Sequence, residues 1–171
     1  MSWILLISII LLLGFTTGAW SAAPWVPTRQ KDWPAIEDLA SLQPGEKFYE
    51  IGCGHGRLLA YLAQKNPHCQ FVGLEISPLL ALNAAWHCRK LANVKIRWAN
   101  LWHYNLTEAD VVYLFLMPKI YPRLTKLFEQ QLKTTSRIVV GDWPFKKPAY
   151  RQKRLAGSVP YYLYRLIDLQ D

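Results

Sequence analysis

The chain is 171 residues long and 51% apolar, enough for one domain with a buried core plus a short appendage, and too short for two full domains. Its net charge of +8 is uneven: residues 1–28 carry no ionisable side chain, residues 29–118 hold nine basic and eight acidic groups, and from Lys119 onward eleven basic groups face four acidic ones. A basic face near the end of the chain is expected, suited to anionic headgroups, nucleic acid or an acidic protein, or simply solvated. Cys53, Cys69 and Cys88 are odd in number and lack C-x-x-C spacing, which points to neither a disulfide framework nor a zinc site. The four histidines are scattered without partners at helical spacing, so no metal is expected.

From Trp3 to Trp20 the sequence runs WILLISIILLLGFTTGAW, eighteen residues without a charge and with Trp at both ends. As a helix this spans ~27 Å, close to the thickness of a bilayer's hydrocarbon core. Residues 1–23 are therefore expected to be a transmembrane anchor that contacts the lipid bilayer through residues 3–20. Arg29 and Lys31, the first charges after it, place the following domain on the cytoplasmic side. Ser21-Ala22-Ala23 also resembles a signal-peptide cleavage site, but no Lys or Arg precedes the apolar run and Pro24 follows at once.

Residues 24–46 form a Pro-rich lead-in with a short helix over Trp33 to Leu42, Pro34 in its first turn, and a Pro44-Gly45 turn. Residues 47–171 then alternate. Strands are expected at Lys47 to Ile51, Gln70 to Glu75, Val94 to Trp98, Asp110 to Leu116 and Arg137 to Asp142. Helices are expected at Arg57 to Gln64, Pro78 to Leu91 and Pro122 to Leu132. This alternation predicts a parallel sheet covered on both faces, with the apolar run VVYLFL as a strand buried on both sides. Two further strands, around Tyr150 to Leu155 and Tyr161 to Ile167, have no helix between them and suit an antiparallel edge hairpin, for a seven-stranded α/β sheet.

The most informative segment is Glu50-Ile51-Gly52-Cys53-Gly54-His55-Gly56-Arg57, between the first strand and the helix after it. Glycines are needed where the chain turns tightly and a ligand approaches the backbone. A dinucleotide fingerprint, G-x-G-x-x-G, needs glycine at position 57; Arg57 stands there and the third glycine is Gly56. Glu75 ends the second strand, where a carboxylate can accept both ribose hydroxyls, so glycines and carboxylate together read as an adenosine site. The plainer alternative is a simple turn, with Glu75 leading into a helix.

The pattern E/D-x-G-x-G-x-G, with Glu50 two residues before Gly52, is similar to the first motif of class I methyltransferases. Over most of its length the chain resembles the membrane-anchored lysine methyltransferases of the ATP synthase c subunit and the adenine nucleotide translocase. The similarity runs through the span, Pro24-Trp25-Val26-Pro27-Thr28, the glycine loop, Asn100-Leu101-Trp102 and Trp143-Pro144-Phe145. Asn100 stands where those enzymes have an aspartate.

The resemblance implies a Rossmann-like methyltransferase fold that binds S-adenosyl-L-methionine. Glu50, Ile51, Gly52, Cys53, Gly54, Gly56, Glu75, Ile76, Asn100 and Leu101 are the implied cofactor residues. It also implies N-methylation of a lysine on a membrane-associated protein. Leu116, Met117, Pro118, Trp102, Trp143 and Thr28 are the acceptor-pocket candidates, and Trp25, Tyr113 and Phe145 are further candidates for an aromatic lining. No catalytic base is identified, since in-line positioning and desolvation supply much of the rate of methyl transfer. Leu116-Met117-Pro118-Lys119 is not the Asn/Asp-Pro-Pro-aromatic signature of nucleic-acid amine methylases, which makes a nucleic-acid partner the lesser alternative. An RNA or small-molecule methylase and a non-catalytic tethered cofactor-binding module remain the other readings.

Overall fold

The computed structural model describes residues 26–169 and, N-terminal to them, Trp3 alone. The expected anchor, residues 1–23, and Trp25 thus lie outside the described residues apart from Trp3. Among the described residues no helix is long and apolar enough to cross a membrane.

Seven strands form one sheet in the order β3-β2-β1-β4-β5-β7-β6. They are β1 (Lys47–Ile51), β2 (Gln70–Glu75), β3 (Val94–Trp98), β4 (Val111–Leu114), β5 (Arg137–Gly141), β6 (Arg151–Lys153) and β7 (Tyr161–Arg165). The first five are parallel; β7 runs antiparallel to β5 and to β6, closing the edge with the expected hairpin. The helices are α1 (Trp33–Ala40), α2 (Arg57–Lys65), α3 (Pro78–Cys88), α4 (Tyr121–Gln131) and α5 (Leu166–Leu169).

Alternation along the strands divides the core into two layers. Phe48, Phe71, Tyr113 and Val139 face α1, α2 and α3, while Tyr49, Val72, Val112 and Val140 face α4 and α5. The β1–β2–β3 crossovers build the sheet outward on one side and β4 starts the other, so β1 and β4 flank the point where strand order reverses. In open α/β sheets ligands bind beyond the carboxyl ends of the strands at such a point.

Strands β1, β2 and β3 occupy the expected ranges, while β4 and β5 end early. β4 stops at Leu114, leaving Phe115 and Leu116 half-buried beyond it, and β5 stops at Gly141 because Asp142 turns into the left-handed region at φ +66°. The segment before β1 is tied to the C-terminal hairpin: Asp32 is almost fully buried and accepts hydrogen bonds from the Ser158 hydroxyl and, at 3.0 Å, from the Tyr161 hydroxyl.

The basic C-terminal third is partly neutralised by folding. Arg151 and Lys153 both pair with Asp38 at 3.0 Å, Lys133 pairs with Asp110 at 2.6 Å, and Arg137 pairs with Glu46. Acidic groups from earlier in the chain thus answer much of the charge excess seen in the sequence.

Candidate active site

The glycine turn leaves β1 with all three glycines left-handed: φ is +76° at Gly52, +53° at Gly54 and +68° at Gly56. Each would be strained with any other residue. The roles differ. A Cβ on Gly56 would stand 3.1 Å from Ala84 Cβ and 3.2 Å from Cys88 Sγ, so Gly56 lets α2 pack closely on α3. A Cβ on Gly52 would meet only Leu116 Cδ2, at 3.5 Å, so this face of the turn is open to a ligand.

Glu75 locks the turn. Its Oε2 accepts the Gly54 amide at 2.9 Å and its Oε1 accepts the Ser77 amide at 2.9 Å, and the residue is 7% exposed. An ionised carboxylate has about four acceptor sites, so two remain for hydroxyl donors.

Glu50 is 5% exposed, and its Oε2 has no hydrogen-bond partner among the described residues. Burial, reinforced by the charge of Glu75, pushes its carboxyl well above the usual carboxylate range. A buried, unsatisfied acid beside an open glycine turn fits a ligand that carries a cation. S-adenosyl-L-methionine is such a ligand: its ribose suits Glu75, and its ammonium suits Glu50.

The sulfur chemistry of the loop is inert. Burial holds Cys53 far above the normal thiol range and pushes Cys88 up to about 11, so neither is a thiolate nucleophile at neutral pH. Asn100 accepts the Trp102 amide at 3.1 Å through Oδ1, capping the 3-10 turn Leu101–His103 beyond β3. Ile76 is exposed just past β2.

A cavity of about 330 Å³ opens beyond the ends of β4 and β5, where Phe115 and Met117 in its lining flank Leu116, the residue that meets the Gly52 position. Its lining includes Phe115, Met117, Trp143 and Tyr161, together with the Asp142 carboxylate and the ion-paired Arg29 and Asp32. Phe115 and Trp143 stack with centroids 5.7 Å apart. The Asp142 carboxylate has no hydrogen bond or ion pair among the described residues, and the residue sits in the left-handed conformation that disfavours L side chains. Thr28 holds the lead-in segment against the sheet, its hydroxyl 2.8 Å from the Tyr113 hydroxyl.

Of the acceptor-pocket candidates, Met117 and Trp143 line the cavity, and Thr28 fixes the segment that forms one wall. The others do not. Leu116 points to the opposite core layer and the Gly52 face, Pro118 is exposed at the start of a 3-10 turn, and Trp102 packs in that same layer with the Arg123 guanidinium 4.0 Å from its ring. Tyr113 and Phe145 are buried core residues. Phe115, Asp142 and Tyr161 are additions that the sequence does not suggest; the one sequence signal for Asp142 is its place directly after an apolar strand, where such folds put functional groups.

Comparison with known proteins is decisive at this point: residues 50–151 match the ANTKMT methyltransferase domain family. The chain belongs to this family. A protein-lysine N-methyltransferase of Saccharolobus islandicus is 28% identical over 119 residues, covering 68% of this chain and 74% of that enzyme. The mouse lysine N-methyltransferase of the ATP synthase c subunit is 25% identical over 127 residues, 72% of this chain but only 50% of the mouse enzyme. Among solved structures, an RNA methyltransferase of Salinibacter ruber with bound S-adenosyl-L-homocysteine superposes with a TM-score of 0.77 at 26% identity, covering 82% of this chain and 94% of that one. The protein is thus an S-adenosyl-L-methionine-dependent methyltransferase with the expected Rossmann-like fold. In this methyltransferase no described group of three or more His, Cys, Asp or Glu side chains is arranged to hold a metal.

Proposed function

We propose that the protein N-methylates a lysine of a membrane-associated protein. The observation that carries this reading is the cavity beyond the ends of β4 and β5, lined by the stacked Phe115 and Trp143 and by the Asp142 carboxylate. A lysine side chain is a long apolar stem ending in an amine, and this cavity offers an aromatic wall to the stem and, beside the mutually paired Arg29 and Asp32, the Asp142 carboxylate to the amine. The lysine methyltransferases among the relatives support the same substrate class.

When bound, the cofactor supplies a methyl group on a positively charged sulfur. The chain's own residues do the rest. Glu75 would hold the ribose hydroxyls, the Gly52 to Gly56 backbone and Glu50 the amino-acid end, and Ile76, Asn100 and Leu101 the adenine. Lysine must release a proton to solvent before it attacks; exclusion of water by the aromatic wall disfavours the ammonium, whereas the Asp142 carboxylate favours it, so Asp142 serves to position the amine and not to deprotonate it. Asp142 draws the amine in and accepts one N–H, leaving the lone pair free to align with the methyl group. The apolar run at residues 3–20 would hold the domain at a membrane, on the cytosolic side where the cofactor is made.

A second reading, RNA methylation, is favoured by the activity named for the Salinibacter ruber structure. One experiment separates them: the purified full chain is incubated with methyl-labelled cofactor and either membranes or total RNA. Label in a membrane protein, mapped to lysine by mass spectrometry, is the expected result; label in RNA alone overturns the proposal.

A further inference from the structure

Helix α3 is apolar on both sides. Ala81, Ala84 and Cys88 face the core, as a covering helix requires, but Leu79, Leu82 and Trp86 face solvent at 55%, 70% and 66% exposure. Their spacing of three and four residues aligns them in one stripe along the helix. Trp98, at the end of edge strand β3, extends the patch: it is 71% exposed, and its indole N–H donates to the Ile76 carbonyl at 3.0 Å, which fixes the ring at the surface. Between Leu82 and Trp98 lies a shallow cleft floored by Ala81, Ala85 and Ile96. A contiguous apolar surface of this kind on a single domain marks an interaction site.

The charges around the patch identify the partner. From Ile76 to Thr107 the chain has no Asp or Glu; Arg89 and Lys90 follow α3 directly and are exposed, while Lys95 and Arg97, also exposed, point to the other face of the sheet, in register with Val72 and Leu74. None of the four has an ion pair among the described residues, in contrast to the paired basic groups of the C-terminal third. The first acidic residue after them, Glu108, pairs with Lys47 at 2.9 Å. The Arg89 guanidinium lies 3.9 Å from the Trp86 ring centroid, so the stripe ends in a cation stacked on an indole. Leucine and tryptophan bordered at one end by Arg89 and Lys90, and by no acidic group from this stretch of chain, match an anionic bilayer interface, where the apolar groups enter the acyl boundary and the cations meet headgroups. A second copy of this chain fits less well, because a two-fold contact would bring the same unpaired cations face to face.

We infer that the outer face of α3, with Trp98, docks on an anionic lipid surface. The face begins at the carboxyl edge of β2, the same sheet edge as the glycine turn, and ends at Arg89, toward the start of β3. This contact is separate from the apolar run at residues 3–20 and does not depend on which acceptor is methylated.

The test uses the full chain reconstituted into phosphatidylcholine vesicles with or without phosphatidylglycerol. A nitroxide is attached through Leu82→Cys or, as a control on the opposite layer, through the exposed Lys126→Cys; the native cysteines are buried. Collision rates with oxygen and with a water-soluble nickel chelate report depth. In anionic vesicles the position-82 label should favour oxygen, the position-126 label should favour nickel, and Arg89→Glu with Lys90→Glu should return position 82 to the aqueous value. Cofactor binding by calorimetry, unchanged in these variants, certifies the fold. Equal depth at both positions, insensitivity to the anionic lipid, or spin–spin broadening at position 82 from a neighbouring copy overturns the proposal.

Discussion

The two halves of the candidate active site are built on opposite plans. The glycine turn and Glu75 satisfy each other: amide to carboxylate twice at 2.9 Å, within 28 residues of continuous chain from Glu50 to Ser77. The candidate acceptor cavity is assembled from segments far apart in sequence, and its wall at Val26 and Pro27 is held by tertiary contacts such as Thr28 to Tyr113 and Asp32 to Tyr161. A locally closed site can be preserved as a motif, whereas one made of distant segments can vary its lining one segment at a time. This suits a common cofactor and a changing acceptor.

The largest test of that contrast is Glu75→Ala. It removes two charge-assisted hydrogen bonds to the turn as well as the ribose acceptor, so cofactor affinity should fall about 100-fold, equivalent to ~3 kcal/mol. Acceptor binding, measured separately with a nonreactive cofactor analogue at saturation, should change little. Calorimetry showing parental cofactor affinity would remove Glu75 from the site.

Legibility in the sequence follows the same division. β1, β2 and β3 can be placed to the residue because their apolar runs end at strong punctuation: Gly52 after Ile51, Ser77-Pro78 after Glu75, and Asn100 after Trp98. The end of β4 cannot, because Phe115 and Leu116 are as apolar as the strand before them and only the three-dimensional crevice makes them half-exposed. Trp102 is a reasonable aromatic candidate by its place after β3, but its ring turns to the layer beneath α4, where Arg123 covers it. Asp142 reads in sequence as the last residue of a strand, since nothing local marks a non-glycine residue that will turn left-handed. The α3 surface is equally hidden, because Leu79, Leu82 and Trp86 look in sequence like part of a core face.

Next in size is Thr28→Val, which probes the distant half. The swap keeps the shape but leaves the Tyr113 hydroxyl, on a 1% exposed residue, without its 2.8 Å partner. Stability should drop by about 1–2 kcal/mol, read by urea denaturation, and KM for the acceptor should rise more than KM for the cofactor. A rise confined to the cofactor would mean that the lead-in segment serves the other half.

Glu50 sharpens the near half through pH. Its folded-state pKa is raised by burial and by Glu75, so the folded protein holds a proton that the unfolded chain releases near the ordinary carboxylate value of 4.5. Stability contributed by this group is therefore greatest at acidic pH and declines as pH rises from about that value toward the higher folded-state pKa. Glu50→Gln should flatten this decline and raise Tm at pH 8 by roughly 2–4 °C, a change of on the order of 1 kcal/mol, while weakening cofactor binding. Parallel Tm-against-pH curves for the two proteins would show that the buried acid is satisfied by another route.

The smallest effect, and the most specific, is expected at Asp142. A non-glycine residue at φ +66° carries a backbone cost that glycine relieves, and the Asp142 carboxylate makes no hydrogen bond or ion pair among the described residues that its removal would break. Asp142→Gly should therefore stabilise the fold by up to ~1 kcal/mol, less whatever the more flexible unfolded chain takes back. The same change removes the unpaired acceptor at the cavity wall, so turnover of a lysine acceptor should fall severalfold while cofactor affinity holds. Stabilisation together with lost turnover is the signature of a residue kept for chemistry at the expense of stability. Asp142→Asn separates the two contributions, because it tolerates the left-handed conformation and removes only the charge. If Asn restores turnover, the side chain acts as a neutral hydrogen-bond acceptor; if Asn behaves as Gly does, the charge attracts the amine. Turnover unaffected by either substitution, with the stability gain still present, would make Asp142 a strained turn residue and leave the aromatic wall of Phe115 and Trp143 as the cavity's remaining claim on lysine.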